Sequence, residues 1–281
     1  MLRVLAIWVV SVLVIWLGAV QLASSAAYGD LAARPSLPAA LHAAAPGLLR
    51  PFLGGPAARA AAALHNGDLD GAQQLIATLP DDAQAADLRG RLAEARHDPD
   101  AAISAYIRAG DGVRAQSLID TLSELDPPRA LLDQMVLVAA LEGRTDASEE
   151  TGQAWWRLGQ LQAAAGYRAP AKRRTLWRTA EASYERALGF APNEETYLLA
   201  AGYQSLANGD LTAAERWYNR AAEVVPNSAD AFAGRAWTAA ARGDCAAARA
   251  DLARSRALRT QPVRDPLDNP QVGPALRRCT A

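Results

Sequence analysis

Few side chains in this 281-residue chain have the type and spacing for covalent or metal chemistry. There are two cysteines, Cys245 and Cys279, and three histidines, His42, His65 and His97. Two cysteines at this separation supply neither the four ligands of a structural zinc site nor the close pair of a thiol-redox motif. Two readings stay open for them: a single bridge formed in an oxidising compartment, or two unpaired small residues. No histidine lies at a short metal-binding spacing from another histidine, a cysteine or paired acids. The carboxylate pairs Glu149-Glu150 and Glu194-Glu195 could serve acid/base chemistry. They fall at the first turns of predicted helices, where negative charge offsets the helix dipole, and are more simply read as caps. Phosphate loops, nucleophile elbows and HExxH helices are all missing from the sequence. These absences point away from an enzyme and call for no cofactor and no metal.

Composition sets the elements that any site must use. Half of the chain (51%) is hydrophobic and 21% is charged, which excludes a disordered polymer and allows a sizeable core. Alanine makes up about a quarter of the residues and aromatics only 6%, a helix-forming mixture with hardly any β-branched runs beyond the N-terminus. A net charge of −1 gives no globally basic field for nucleic acid. The charge is divided, however. Residues 57–150 carry 8 arginines and 17 acids, whereas residues 151–281 carry 18 basic residues and 12 acids.

The N-terminal residues 4–23 are apolar on every face and free of charge, and Arg3 precedes them. A spanning helix needs ~20 such residues, so residues 1–25 read as a signal anchor or transmembrane helix. The small residues from Ala23 to Ala27 equally offer a cleavage site for a signal peptide. Either reading sends the rest of the chain across the membrane, as a single-pass membrane protein with an extracytoplasmic domain or as a secreted one. The two cysteines then face an oxidising compartment, which favours the bridge. Residues 26–56 hold five prolines and four glycines and read as a linker.

From Pro56 onward a helix–turn–helix signal recurs. The turns are Asn66-Gly67-Asp68, His97-Asp98-Pro99, Gly110-Asp111-Gly112, Asn208-Gly209-Asp210 and Arg242-Gly243-Asp244. Glycine at a helix C-terminus takes the left-handed conformation, and the aspartate that follows caps the next helix. A period of 34 residues relates Pro192 to Pro226, Gly209 to Gly243 and Ala180 to Ala214 and Ala248. On these residues the chain resembles the tetratricopeptide repeat family. The small–aromatic–small–proline order appears as Ala180, Tyr184, Ala187, Pro192 and again as Ala214, Tyr218, Ala221, Pro226; the first-helix motif appears as Trp155, Leu158, Gly159 and more weakly as Leu198, Ala201, Gly202. The predicted fold is all-α: a right-handed superhelical solenoid of such hairpins, preceded by one transmembrane helix. Residues 57–142 read as degenerate hairpins, 152–260 as three repeats and 261–281 as a tail. The first of the three carries about nine extra residues, Tyr167 to Leu176, assigned to its turn.

The resemblance implies a groove lined by the first helix of each pair, where ligand peptides lie. Groove positions carried over to this chain are Trp156 and Gln160, then Leu199, Tyr203 and Leu206, then Trp237 and Ala240. One aromatic per repeat (Trp156, Tyr203, Trp237) would form a stripe suited to an extended peptide or a helix. The same aromatics could instead pack on the C-terminal tail or between helices. The basic clamp that the family uses for acidic chaperone tails is absent, since its positions here hold Trp156, Gln160, Ala200, Asp230 and Gly234. A basic cluster, Arg168, Lys172, Arg173, Arg174 and Arg178, reads either as a dock for anionic lipid or protein or as a solvated helix start. Two functions follow as expectations. The first is a membrane-tethered scaffold holding a protein or peptide partner. The alternative is an accessory of envelope glycan assembly, stacking sugars on the aromatics beside Gln160, Gln204 and Asn208.

Overall fold

A computed structural model describes residues 55–144, 148–259, 266, 269 and 273–280. The predicted spanning segment 4–23 and nearly all of the linker lie outside the described residues. Among the described residues no helix is long and apolar enough to cross a membrane. They form thirteen α-helices and no strand. In chain order these are α1 Pro56–His65, α2 Leu69–Ala77, α3 Ala83–Ala95, α4 Pro99–Ala109, α5 Gly112–Leu125, α6 Pro127–Glu142 and α7 Ser148–Arg168. There follow α8 Arg173–Phe190, α9 Glu195–Asn208, α10 Leu211–Val224, α11 Ala229–Arg242, α12 Cys245–Leu258 and α13 Gly273–Thr280. The chain divides into two compact units at Leu118/Ile119, within α5.

The helices begin and end where side-chain chemistry dictates. Asp68, Asp98, Asp210 and Asp244 each accept a hydrogen bond from the backbone N–H three residues on, satisfying a donor that the helix itself cannot. Ahead of these aspartates the chain reverses through a positive φ, supplied by Gly67, Gly209 and Gly243 and, in one turn, by His97 at φ 59°. A Cβ is disfavoured there, so His97 holds a strained position that glycine occupies elsewhere. Replacing His97 with glycine is expected to raise the unfolding free energy by about 0.5–1 kcal/mol. An unchanged or lower urea midpoint would contradict that account.

In the first unit α1 pairs with α2 and α3 with α4. Its core is built from Ala60, Ala61, Ala72, Ile76, Leu88 and Leu92. Tyr106 of α4 is fully buried beside Gly90 of α3, where a Cβ would come within 2.6 Å of the ring. The Tyr106 hydroxyl donates to Glu94, one turn beyond that glycine.

In the second unit the pairs α7–α8, α9–α10 and α11–α12 pack in succession, with α8 on α9 and α10 on α11. Alanines do most of the close packing: Ala180, Ala187, Ala201, Ala214, Ala221, Ala231 and Ala248 are wholly buried. Small residues let helix axes approach, and a larger residue fills the remaining space, a tyrosine in the first two pairs and Leu252 in the third. Tyr184 sits against Gly159, and Tyr218 lies between Gly202 and Gly234. The extra residues of the first pair do not form a loop. They lengthen both helices, to 21 residues in α7 and 18 in α8, against 14 in each helix of the next two pairs. Leu176 and Trp177 remain half-buried, and the Trp177 indole donates to the Ala163 carbonyl, so extending the pair encloses apolar surface that a loop would leave wet. In α12, Ser255 takes the place expected for alanine; it is buried and its hydroxyl donates to the Ala229 carbonyl.

Cys245 and Cys279 form a disulfide that ties α13 to the start of α12. Leu276 and Cys279 are buried against Ala236, Ala240 and Leu252. Arg249 donates to the Cys279 carbonyl at 2.8 Å, placing a cation at the C-terminal end of α13. The tail expected at 261–281 therefore includes a packed helix that closes the last pair.

Burial also sets an upper pH limit. Desolvation pushes the phenols of Tyr106, Tyr184, Tyr203 and Tyr218 well above their ordinary range. The native state then holds these protons after the unfolded chain has released them. Stability is fully present below pH about 10 and falls as the pH rises past it. The urea midpoint should decline steeply in that window, and a flat profile would mean the phenols are solvated.

Candidate functional site

The first helices of the three pairs border one cleft of about 480 Å³. Helix α7 contributes Gln160, Ala163, Ala164 and Tyr167; α9 contributes Leu199, Ala200, Tyr203 and Gln204; α11 contributes Asp230 and Trp237. Tyr184 and Tyr218 reach it from the second helices. This volume lies within the range of ligand-binding clefts, and the surface is largely apolar with few polar groups.

Of the groove positions predicted from the sequence, the cleft brings together Gln160, Leu199, Tyr203 and Trp237. Trp156 is not in its lining. Its indole stacks on Tyr197 at 5.8 Å between ring centres, and the Arg157 guanidinium lies 4.9 Å from the Trp156 ring centre. The contact with Tyr197 at the head of α9 holds Trp156 at the helix interface, so the three aromatics do not form one stripe. Leu206 and Ala240 are buried in the core.

Two of the aromatics already have partners. Tyr203 and Trp237 meet edge to face at 6.4 Å. The Trp237 indole donates to the Pro266 carbonyl at 3.1 Å, and the Tyr203 side chain is hydrogen-bonded to Tyr167 and Asn269. At this end of the cleft the aromatics hold two points of the C-terminal segment.

The polar groups fall into two sets. Asp230 is ion-paired to Arg259 at 2.8 Å, and Gln160 accepts from Arg157 at 3.2 Å. Asn208, expected beside the aromatics as a sugar ligand, donates to Glu181 at 2.6 Å and to the Trp177 carbonyl, and is structural. By contrast, the Tyr218 hydroxyl and Gln204 Nε2 are buried without a hydrogen-bond partner among the described residues. The sequence reading passed over Tyr218 as a core residue. Its position in the repeat marks it as core, and only the fold shows the residue bordering the cleft.

The basic cluster surrounds the junction of α7 and α8. Arg168, Lys172, Arg173, Arg174 and Arg178 are all exposed. Arg173 donates to the Gly166 carbonyl and lies 5.4 Å from the Trp177 ring centre. Arg178 borders a second, charged hollow with Glu181, Glu185, Asp210 and Arg216. Among the described residues no group of three or more histidine, cysteine or acidic side chains could hold a metal ion.

The hairpins thus resemble tetratricopeptide repeats in their 34-residue spacing and small–aromatic packing. No family model matches the chain, and no curated protein matches it. Among solved structures it is similar to PilW, described as a widely conserved type IV pilus biogenesis factor. That alignment has 18% identity over 72% of this chain and 91% of PilW, with a TM-score of 0.42. It is also similar to PilF of Pseudomonas aeruginosa, with 14% identity over 72% of this chain and 90% of that one and a TM-score of 0.39. A likeness of this degree assigns no partner or activity to the present chain.

Proposed function

We propose that the cleft of the second unit docks a segment of another polypeptide, and that the protein is a membrane-tethered scaffold outside the cytoplasm. One observation carries the docking reading: three successive first helices border a single, largely apolar cleft. The titratable groups in its lining are four tyrosines and Asp230, which is paired to Arg259. Near neutral pH that set binds by shape and hydrogen bonding and has no base poised for proton transfer, which supports a non-catalytic role. The Cys245–Cys279 bridge supports an oxidising compartment, and the apolar residues 4–23 support a tether.

A photo-crosslinking residue in place of Ala200, in the cleft, tests this in native membranes against the same residue in place of Ala253, exposed on α12. The expected result is a discrete protease-sensitive adduct from position 200 only. Equal adducts from both positions, or none from position 200, would sink the docking reading.

A further inference from the structure

The junction end of the α7–α8 pair carries cations that the fold does not use. From Thr151 to Ala180 the sequence has no acidic residue, yet Arg168, Lys172, Arg173 and Arg174 fall close together there. All four are exposed. Elsewhere in the second unit arginines are neutralised by carboxylates: Arg186 by Glu142, Arg220 by Glu223, Arg235 by Asp251, Arg242 by Glu215 and Arg259 by Asp230. The side chains of Arg168, Lys172 and Arg174 have no hydrogen-bond or ion-pair partner among the described residues. Arg173 is held by the Gly166 carbonyl and the Trp177 ring, neither of which cancels its charge. Arg178, one turn further along α8, borders the hollow that contains Glu181, Glu185 and Asp210, so its charge is partly met.

The same end projects past its neighbour. Helix α8 begins seven residues before Ala180, whereas α10 begins three before the equivalent Ala214. At 1.5 Å per residue this carries the cations about 6 Å further out. Like charges held this close repel one another, and an anionic surface relieves that repulsion.

We infer that this end docks on the anionic headgroups of a lipid bilayer, giving the protein a membrane contact separate from its tether. Two observations favour a bilayer over an acidic protein. The exposed residues between Arg168 and Lys172 are Pro170 and Ala171, too small to supply the large central anchor of a protein interface. The chain also carries its own route to a membrane. Residues 24–54 separate the charge-free apolar run 4–23 from Gly55, and a segment of that length spans at most roughly 100 Å, so the bilayer stays within reach. This second point rests on the tether proposed above. Each cation near an anionic bilayer multiplies the docking constant by about five.

The test uses the full chain with one added thiol, Ala171→Cys at the docking end or Ala253→Cys on the exposed face of α12 as control. Cys245 and Cys279 are bridged, so without reductant a donor dye labels only the added thiol. The labelled chain is reconstituted in vesicles bearing a headgroup-linked acceptor dye. These contain phosphatidylcholine alone, or phosphatidylcholine and phosphatidylglycerol in equal parts. Energy transfer should rise with phosphatidylglycerol from position 171 and not from position 253. Combining Arg168→Gln, Lys172→Gln and Arg174→Gln should lower the docking constant about a hundredfold, and high salt should weaken docking of the parent. Transfer from position 171 that is equal in the two vesicle types, or that survives the triple substitution, overturns the proposal. So does a crosslink from position 171 to an acidic protein without any effect of phosphatidylglycerol. Flotation with phosphatidylcholine vesicles reads the tether separately. A chain that floats on them but shows no phosphatidylglycerol effect keeps its tether and loses the docking end. A chain that does not float, yet gains transfer with phosphatidylglycerol, keeps the docking end and loses the tether.

Discussion

Tyr218→Ala is expected to destabilise the second unit by about 3–5 kcal/mol, the range for removing a buried aromatic ring. The ring is buried between α9 and α11, and its neighbours there are the glycines Gly202 and Gly234, which have no side chain to move into the void. The cavity left behind therefore persists. Urea unfolding followed by far-ultraviolet circular dichroism would show this as a lower midpoint with an unchanged slope. The reciprocal change, Gly234→Ala, drives a methyl group into the ring and should cost about 1–3 kcal/mol, partly offset by the better helix propensity of alanine. In a Tyr218→Ala background the same Gly234→Ala change should become stabilising, because the methyl group then fills space. Additive effects of the two substitutions would show that the ring and the glycine are not in contact as described.

Removing the Cys245–Cys279 bridge should have an effect of similar size. The bridge spans 34 residues, and closing a loop of that length restricts the unfolded chain by about 4 kcal/mol on the loop-entropy estimate. Helix α13 has only eight residues, too few to persist alone in water, and its hold on the unit rests on Leu276, Cys279 and the Arg249 contact. A double Cys245→Ser, Cys279→Ser variant should unfold at a markedly lower denaturant concentration. It should also be cut by protease near the C-terminus under conditions where the parent is intact. Equal unfolding midpoints with and without reductant would mean that the bridge contributes nothing to the native state.

Much of the architecture was legible because repeat proteins write their packing locally. The turn residues Asn66-Gly67-Asp68, Asn208-Gly209-Asp210 and Arg242-Gly243-Asp244 mark helix ends by their own conformational limits, and the helices end there. The 34-residue recurrence of Ala180, Ala214 and Ala248 located the close contacts, and all three are wholly buried. For the extra residues from Tyr167 to Leu176, length alone does not say whether an insertion loops out as a turn or extends its helices. That outcome depended on Trp177 finding the Ala163 carbonyl and the gap beside Gly166.

Sequence alone determined the all-helical class and the helical pairs and named candidate groove positions, since propensity, caps and period act over a few residues or repeat at fixed spacing. Tertiary structure alone decided how those positions are used. It set Trp156 against Tyr197, gave Trp237 to the Pro266 carbonyl, joined Cys245 to Cys279, and left the buried Tyr218 hydroxyl without an acceptor among the described residues. The reason is that partner choice for an aromatic ring or a hydroxyl depends on which side chains distant segments bring within a few ångströms, and local pattern does not encode that distance.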